Sequence, residues 1–228
     1  RLRKAKVKAK KVVIMESVRG IVEYVLKSGS LDDRFMSIRR AMEGTIAHGK
    51  LQKDNENIYE NYQKEVKLQW GFVRDDIELI IEGRTDGIIK ERDIIIIEEI
   101  KSTYKSLIYI EEDYNEIHWA QGKFYGYIYC KENNLAEIRI RLSYYNLNTD
   151  EVKSFEKKFK LTELEVFVSE LVERYMKAAF LKIALIEERN ESIEKIEFPF
   201  PTYRKGQREL AVTCYNTIRN NGILFAQA

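Results

Sequence analysis

The chain has 228 residues, of which 44% are hydrophobic, enough apolar material for a large domain and an argument against disorder. Charged residues reach 33% yet cancel to a net +2, so bulk charge announces no nucleic-acid binder and a basic surface would have to be local. Two distant cysteines, Cys130 and Cys214, offer neither a disulfide framework nor a paired-cysteine metal site. With no apolar run of membrane-spanning length and no signal peptide, they point to a soluble protein of a reducing cytoplasm. The absent initiator Met suggests trimming or an internal start.

Arg1, Arg3, Lys4, Lys6, Lys8, Lys10 and Lys11 open the chain, interleaved with Val7, Val12 and Val13. This run reads as a solvated edge strand or frayed terminus, ahead of a DNA-contacting arm. Ser17 begins a helix with Val18, Ile21, Val22, Val25 and Leu26 at helical spacing, stopped by Gly29. A second helix is predicted from about Phe35 to Gln52, followed by a polar loop, Lys53 to Asn57. Strands are predicted over 64–73, Ile77–Ile81 and Ile88–Ile89, with Gly83 and Gly87 flanking Asp86. Ile94 to Ile97 leave no polar face and read as a central strand covered on both sides. Glu116 to Cys130 is aromatic-rich and helical. Strands over Glu137–Asn146 and Val152–Lys160 enclose a turn at Asn148-Thr149-Asp150. Thr162 is predicted to cap a long amphipathic helix to about Glu187, with Glu165 in capping-box position. Both prolines lie in Phe198-Pro199-Phe200-Pro201, after a polar stretch, which predicts a boundary near 190–197. A helix, Gln207 to Ile218, and a short strand, Ile223 to Ala226, complete the chain, too little to bury a core alone.

The most informative charges sit at strand ends. In Glu99-Ile100-Lys101, alternation sends Glu99 and Lys101 to one face and Ile100 to the other. If the two apolar runs pair as a hairpin, Asp86 meets them on that face. Two carboxylates and an ammonium would then suit a divalent metal and an activated water, although a solvated cross-strand ion pair is the plain alternative. Glu98 competes for the role, and parity with Lys101 favours Glu99. His48 shares a helix face with Gly44 and Gln52, four residues away on either side. A lone helical His is more often packing than ligand, but a mid-helix Gly costs about 1 kcal/mol relative to Ala, so something needs the space. Gln121 and Tyr125, again four apart, lie in an aromatic core helix and could offer an amide and a phenol to one neighbour, a phosphate or the lysine.

Gly44-Thr45 with His48, Gly83-Arg84-Thr85-Asp86-Gly87, Glu99-Ile100-Lys101, and Gln121 with Tyr125 together resemble the motif series of the PD-(D/E)XK nucleases. More narrowly, they are similar to the RecB-like branch that includes CRISPR-associated exonucleases, over roughly residues 15–190. The resemblance implies an α/β, restriction-endonuclease-like fold with a central mixed sheet flanked by helices. It also implies Mg²⁺ or Mn²⁺ held by His48, Asp86, Glu99 and the backbone carbonyl of Ile100. Lys101 would position the attacking water, and Gln121 and Tyr125 would support Lys101 or the substrate. Many relatives carry four cysteines on an iron–sulfur cluster; this chain has neither their number nor their placement, so no cluster is expected. Residues 198–207, Phe-Pro-Phe-Pro-Thr-Tyr-Arg-Lys-Gly-Gln, resemble the entry of DinG/XPD-type superfamily 2 helicases, in which Gln207 would read the adenine of ATP. The phosphate-binding loop that would follow is missing, so ATP hydrolysis is not expected of this segment.

The expected organisation is therefore a nuclease-like domain over 1–190, a linker over 191–197 and the truncated start of a helicase ATPase domain over 198–228. The expected activity is metal-dependent hydrolysis of DNA, as an exonuclease on single strands, associated in cis with a helicase in repair or processing. The alternatives are a non-catalytic DNA-binding or docking module and, more remotely, an interaction domain whose carboxylates are salt bridges.

Overall fold

In the computed structural model the described residues are 12–28, 38–74 and 77–227. The basic run through Lys11 and the expected start of the second helix at Phe35 lie outside them. The elements in chain order are β1 (Val12–Ser17), α1 (Val18–Leu26), α2 (Ile38–Ile58), β2 (Tyr62–Arg74), β3 (Ile77–Glu91) and β4 (Ile94–Thr103). They continue with α3 (Glu116–Asn133), β5 (Glu137–Asn146), β6 (Val152–Lys160), α4 (Leu161–Glu194) and α5 (Gln207–Arg219). As expected, the architecture is α/β, a six-stranded mixed sheet with helices against it.

The strand order is β1-β3-β4-β5-β6, with β2 also paired to β3. β1/β3 and β4/β5 are parallel; β2/β3, β3/β4 and β5/β6 are antiparallel. The isoleucine-rich β4 stands centrally, with Ile96, Ile97 and Ile100 at most 3% exposed. The expected cover on both sides does not extend to the start of the run, where Ile94 is 39% exposed and Ile95 half-buried. One sheet face carries α2, whose Ala47 and Leu51 cluster with Ile100 and Tyr145. The other carries α3, from which Gln121 reaches Lys101 and His118 reaches Tyr144. The first half of α4 buries Leu164, Val168, Leu171 and Met176.

One consequence of this order positions the site. β3 is long, and two strands share its edge: β1 pairs with it as far as Ser17↔Glu82, and β4 only from Glu98↔Gly87 onward. Residues 83–86 therefore lie in a split between β1 and β4, the kind of crevice in an open α/β sheet where ligands are held.

Several local expectations need correction. Lys53 to Asn57 is not a loop: α2 runs on to Ile58, because Asn55 is buried and its amide donates to Glu98 Oε2 at 2.7 Å. That tertiary bond overrides the helix-poor composition. The two runs around Asp86 are one unbroken strand. Thr162 does not cap α4; instead the Glu163 carboxylate accepts from the Lys160 backbone N–H at 2.8 Å, and Glu165 is paired to Lys131. Ile223 to Ala226 is not a strand, since no ladder partner is offered to it among the described residues. By contrast, Ser17 does cap α1, accepting from Gly20 N–H, and β5 and β6 have the expected bounds.

Two compact units divide between Ala179 and Phe180, within α4. The expected linker begins inside the same helix, since Glu191–Glu194 form its last turn. In the second unit, Phe198 stacks on Tyr203 with ring centroids 4.2 Å apart. The Gln207 side chain accepts from Arg204 N–H at 2.8 Å as α5 begins. No helix among the described residues is long and apolar enough to cross a membrane.

Candidate active site

Asp86 lies at the mouth of the split. Beyond the last β3/β4 rung its carboxylate takes over the role of a ladder acceptor, with Oδ2 receiving the Ile100 N–H at 2.6 Å. Its other oxygen, Oδ1, is 3.2 Å from His48 Nδ1, carried on α2. Burial works against a charged His48 imidazole, but the hydrogen bond and charge of Asp86 outweigh it, and the His48 pKa is raised. Gly44, one turn earlier, brings α2 close to β4, where an added Cβ would lie 3.2 Å from Ser102 Oγ. That contact is the use of the space a glycine leaves.

Glu99 and Lys101 share the α3 face, as alternation predicts. Lys101 Nζ donates to Glu99 Oε1 at 2.6 Å and to Gln121 Oε1 at 2.7 Å, which fixes the ammonium between a strand and a helix. An ammonium has three hydrogens, so this geometry leaves one for a substrate oxygen or a water. Glu99 is 6% exposed. Burial pushes its pKa above the usual carboxylate range, Lys101 draws it back, and the negative charge of Asp86 pushes it up again. Tyr125 backs onto Gly83, where an added Cβ would lie 2.6 Å from the phenol oxygen. Burial first, then the charges of Glu99 and Asp86, raise the Tyr125 pKa, so the phenol stays protonated.

Glu98 faces the other way. It is 1% exposed, and its carboxylate accepts from Asn55 (2.7 Å), Tyr62 (3.0 Å) and Ser143 (2.7 Å). Burial raises its pKa, and its hydrogen bonds to Ser143 and Tyr62 lower it. Its oxygens are committed to neutral donors in the sheet and α2, well suited to holding those elements together.

The structure thus brings His48, Asp86, Glu99, Ile100, Lys101 and Gln121 into one chain of contacts, with Tyr125 against the same segment of β3. Ile100 meets Asp86 through its N–H. Chemically the donor set, one imidazole and two carboxylates, is of the kind that suits a divalent cation. Yet among the described residues no three His, Cys, Asp or Glu side chains form a ready cage. The reason is visible in the pairs: His48 is turned on Asp86, and Glu99 on Lys101.

Sequence reasoning gave no role to two neighbours, His118 and Gln52, although it placed Gln52 on the His48 face. His118 lies one helical turn before Gln121, and its Nδ1 is 2.9 Å from the Tyr144 hydroxyl. Burial, then the charges of Lys101 and Arg19, push its pKa down to about 3, so the ring is neutral. Gln52 donates to the Asp86 backbone carbonyl at 2.9 Å. The signal for both was present, since each shares a helix face with a residue already singled out.

No family model matches the chain, and no curated protein does. Among solved structures, the backbone is similar to that of the protein SSO0001, with a TM-score of 0.46 and 17% identity over 74% of this chain and 79% of that one. It is also similar to that of a putative exonuclease from Eubacterium rectale, with a TM-score of 0.41 and 9% identity over 100% of this chain and 96% of that one. Neither likeness bears on the residues of the site.

Proposed function

We propose that the split between β1 and β4 is the active site of a metal-dependent deoxyribonuclease with a restriction-endonuclease-like fold. The observation that carries the reading is Lys101, held by Glu99 and Gln121, next in the chain to Ile100, whose N–H binds the Asp86 carboxylate. Such a placement is hard to explain as a surface ion pair, because Glu99 is buried and a neutral amide from another element completes the setting. His48, Asp86, Glu99 and the Ile100 carbonyl would hold Mg²⁺ or Mn²⁺. When bound, the cation would polarise a phosphodiester and favour deprotonation of water. Lys101 orients the attacking water through its third hydrogen and offsets negative charge developing on the phosphate. Gln121 keeps Lys101 aimed, and Tyr125 lines the split.

The preferred substrate in this reading is single-stranded DNA, cut as an exonuclease in the cytoplasm during repair or processing, with a helicase joined in cis beyond residue 198. Incubation with end-labelled single-stranded DNA and Mn²⁺ or Mg²⁺ should yield nucleotides or short oligomers, and chelation should stop the reaction. Cleavage that survives both Asp86→Ala and Lys101→Ala would remove the reading. A second reading, a non-catalytic DNA-binding module, draws on the closed His48–Asp86 and Glu99–Lys101 pairs. It predicts salt-dependent DNA binding without a divalent-cation site.

A further inference from the structure

The β2/β3 ladder is interrupted beside Asp86. Lys64 pairs with Gly87 and Val66 with Thr85, but the rung that would join Glu65 to Asp86 is missing. Glu65 has a left-handed backbone, φ 53°, which a non-glycine residue adopts only when its surroundings impose it. On the opposite edge of β3, pairing with β4 begins only at Gly87. Asp86 thus has no ladder partner in β2 or β4, at a residue whose carboxylate the proposed function needs aimed.

Gln52 fills that place. It is 5% exposed, and its Nε2 donates both to the Asp86 carbonyl at 2.9 Å and to Glu65 Oε1 at 3.0 Å. Both partners are acceptors, so the amide can be oriented only one way, with its nitrogen inward. Because Gln52 is one turn after His48, α2 grips Asp86 twice, by the backbone through Gln52 and by the carboxylate through His48.

We propose that Gln52 is a positioning residue for Asp86, acting with Glu65 as a side-chain substitute for the missing rung. The inference rests on the hydrolytic reading of the site for its effect on rate, but not for its effect on geometry. The Ile100 amide, which donates to Asp86 Oδ2, reports that geometry directly.

The test compares Gln52→Met, which keeps length and loses the donor, with Gln52→Lys, which keeps a donor, and with Glu65→Ala, which frees the amide without touching Asp86. In Gln52→Met, kcat should fall roughly 10–100-fold with KM within about twofold, the usual size for an outer residue that orients an active group. Gln52→Lys should recover most of the loss, and Glu65→Ala should show a smaller loss of the same kind. By NMR, the Ile100 amide proton should shift and exchange faster in Gln52→Met, and less so in Glu65→Ala. An unmoved Ile100 amide in folded Gln52→Met, or in Glu65→Ala if Gln52→Met does not fold, overturns the inference. Unchanged kcat in a cleaving protein does the same. A wild-type protein that never cleaves removes the hydrolytic reading instead, and the Ile100 amide then decides the clamp alone.

Discussion

Glu98 and Glu99 are adjacent on β4, both nearly inaccessible and both raised in pKa by burial and by the Asp86 charge, yet their direct partners differ. Glu98 faces α2 and is satisfied by three uncharged donors from α2, β2 and β5. Glu99 faces α3, pairs with an ammonium, and lies in the field of a second carboxylate. A buried carboxylate surrounded by neutral donors ties elements together and has nothing left to offer. One balanced against a lysine and a like charge holds a site whose charge is open to change by a proton, a cation or a substrate. On the proposed function, the face assigned to chemistry and the face that ties the fold together are separated by one peptide bond, through strand alternation.

The sharpest way to break this division is to remove the charge on the α3 face. Lys101→Met keeps the stem and loses the ammonium; kcat for DNA cleavage should fall roughly 10²–10³-fold. The thermal midpoint should move by no more than about 3 °C, since Glu99 can take up a proton. A large loss of stability with unchanged specific activity would reverse the assignment. On the α2 face the expectation is opposite. Glu98→Ala removes the acceptor of the Asn55 amide and the Tyr62 hydroxyl, while Ser143 keeps Ser154 as a partner, and should cost about 3 kcal/mol in denaturant titrations. The folded fraction should remain active.

Two smaller effects sharpen the α3 face. Gly83→Ala drives a Cβ to within 2.6 Å of the Tyr125 oxygen and should cost about 1–3 kcal/mol. Tyr125→Phe should restore part of that loss in a double-mutant cycle, and strict additivity would mean that the close approach is relieved some other way. His118 gives the smallest expected effect, through pH. Its folded pKa of about 3 lies below the ordinary value of 6.5, so between the two the unfolded chain binds more protons and stability falls as pH falls. The loss begins near pH 6.5 and should reach about 1–2 kcal/mol by pH 5. His118→Gln should flatten that acid limb; an unchanged slope against wild type would show the imidazole to be solvated.

The sequence alone determined the pieces that depend on local periodicity. The isoleucine run marked a central strand, though not that Ile94 at its start stays exposed; alternation separated Glu99 from Glu98, and i, i+4 spacing placed Gln121 and Tyr125, and likewise His48 and Gln52, on shared helix faces. Only tertiary structure could decide what depends on a partner distant in the chain. Asn55 extends α2 because Glu98 lies 43 residues away in sequence, and Ile223 to Ala226 joins no sheet among the described residues. The split along β3 arises from where β1 stops and β4 begins, which no periodicity encodes. Asp86 shows both halves: its place between two glycines was legible in the chain, while the missing rung beside it and the amide that replaces that rung exist only once three distant segments have met.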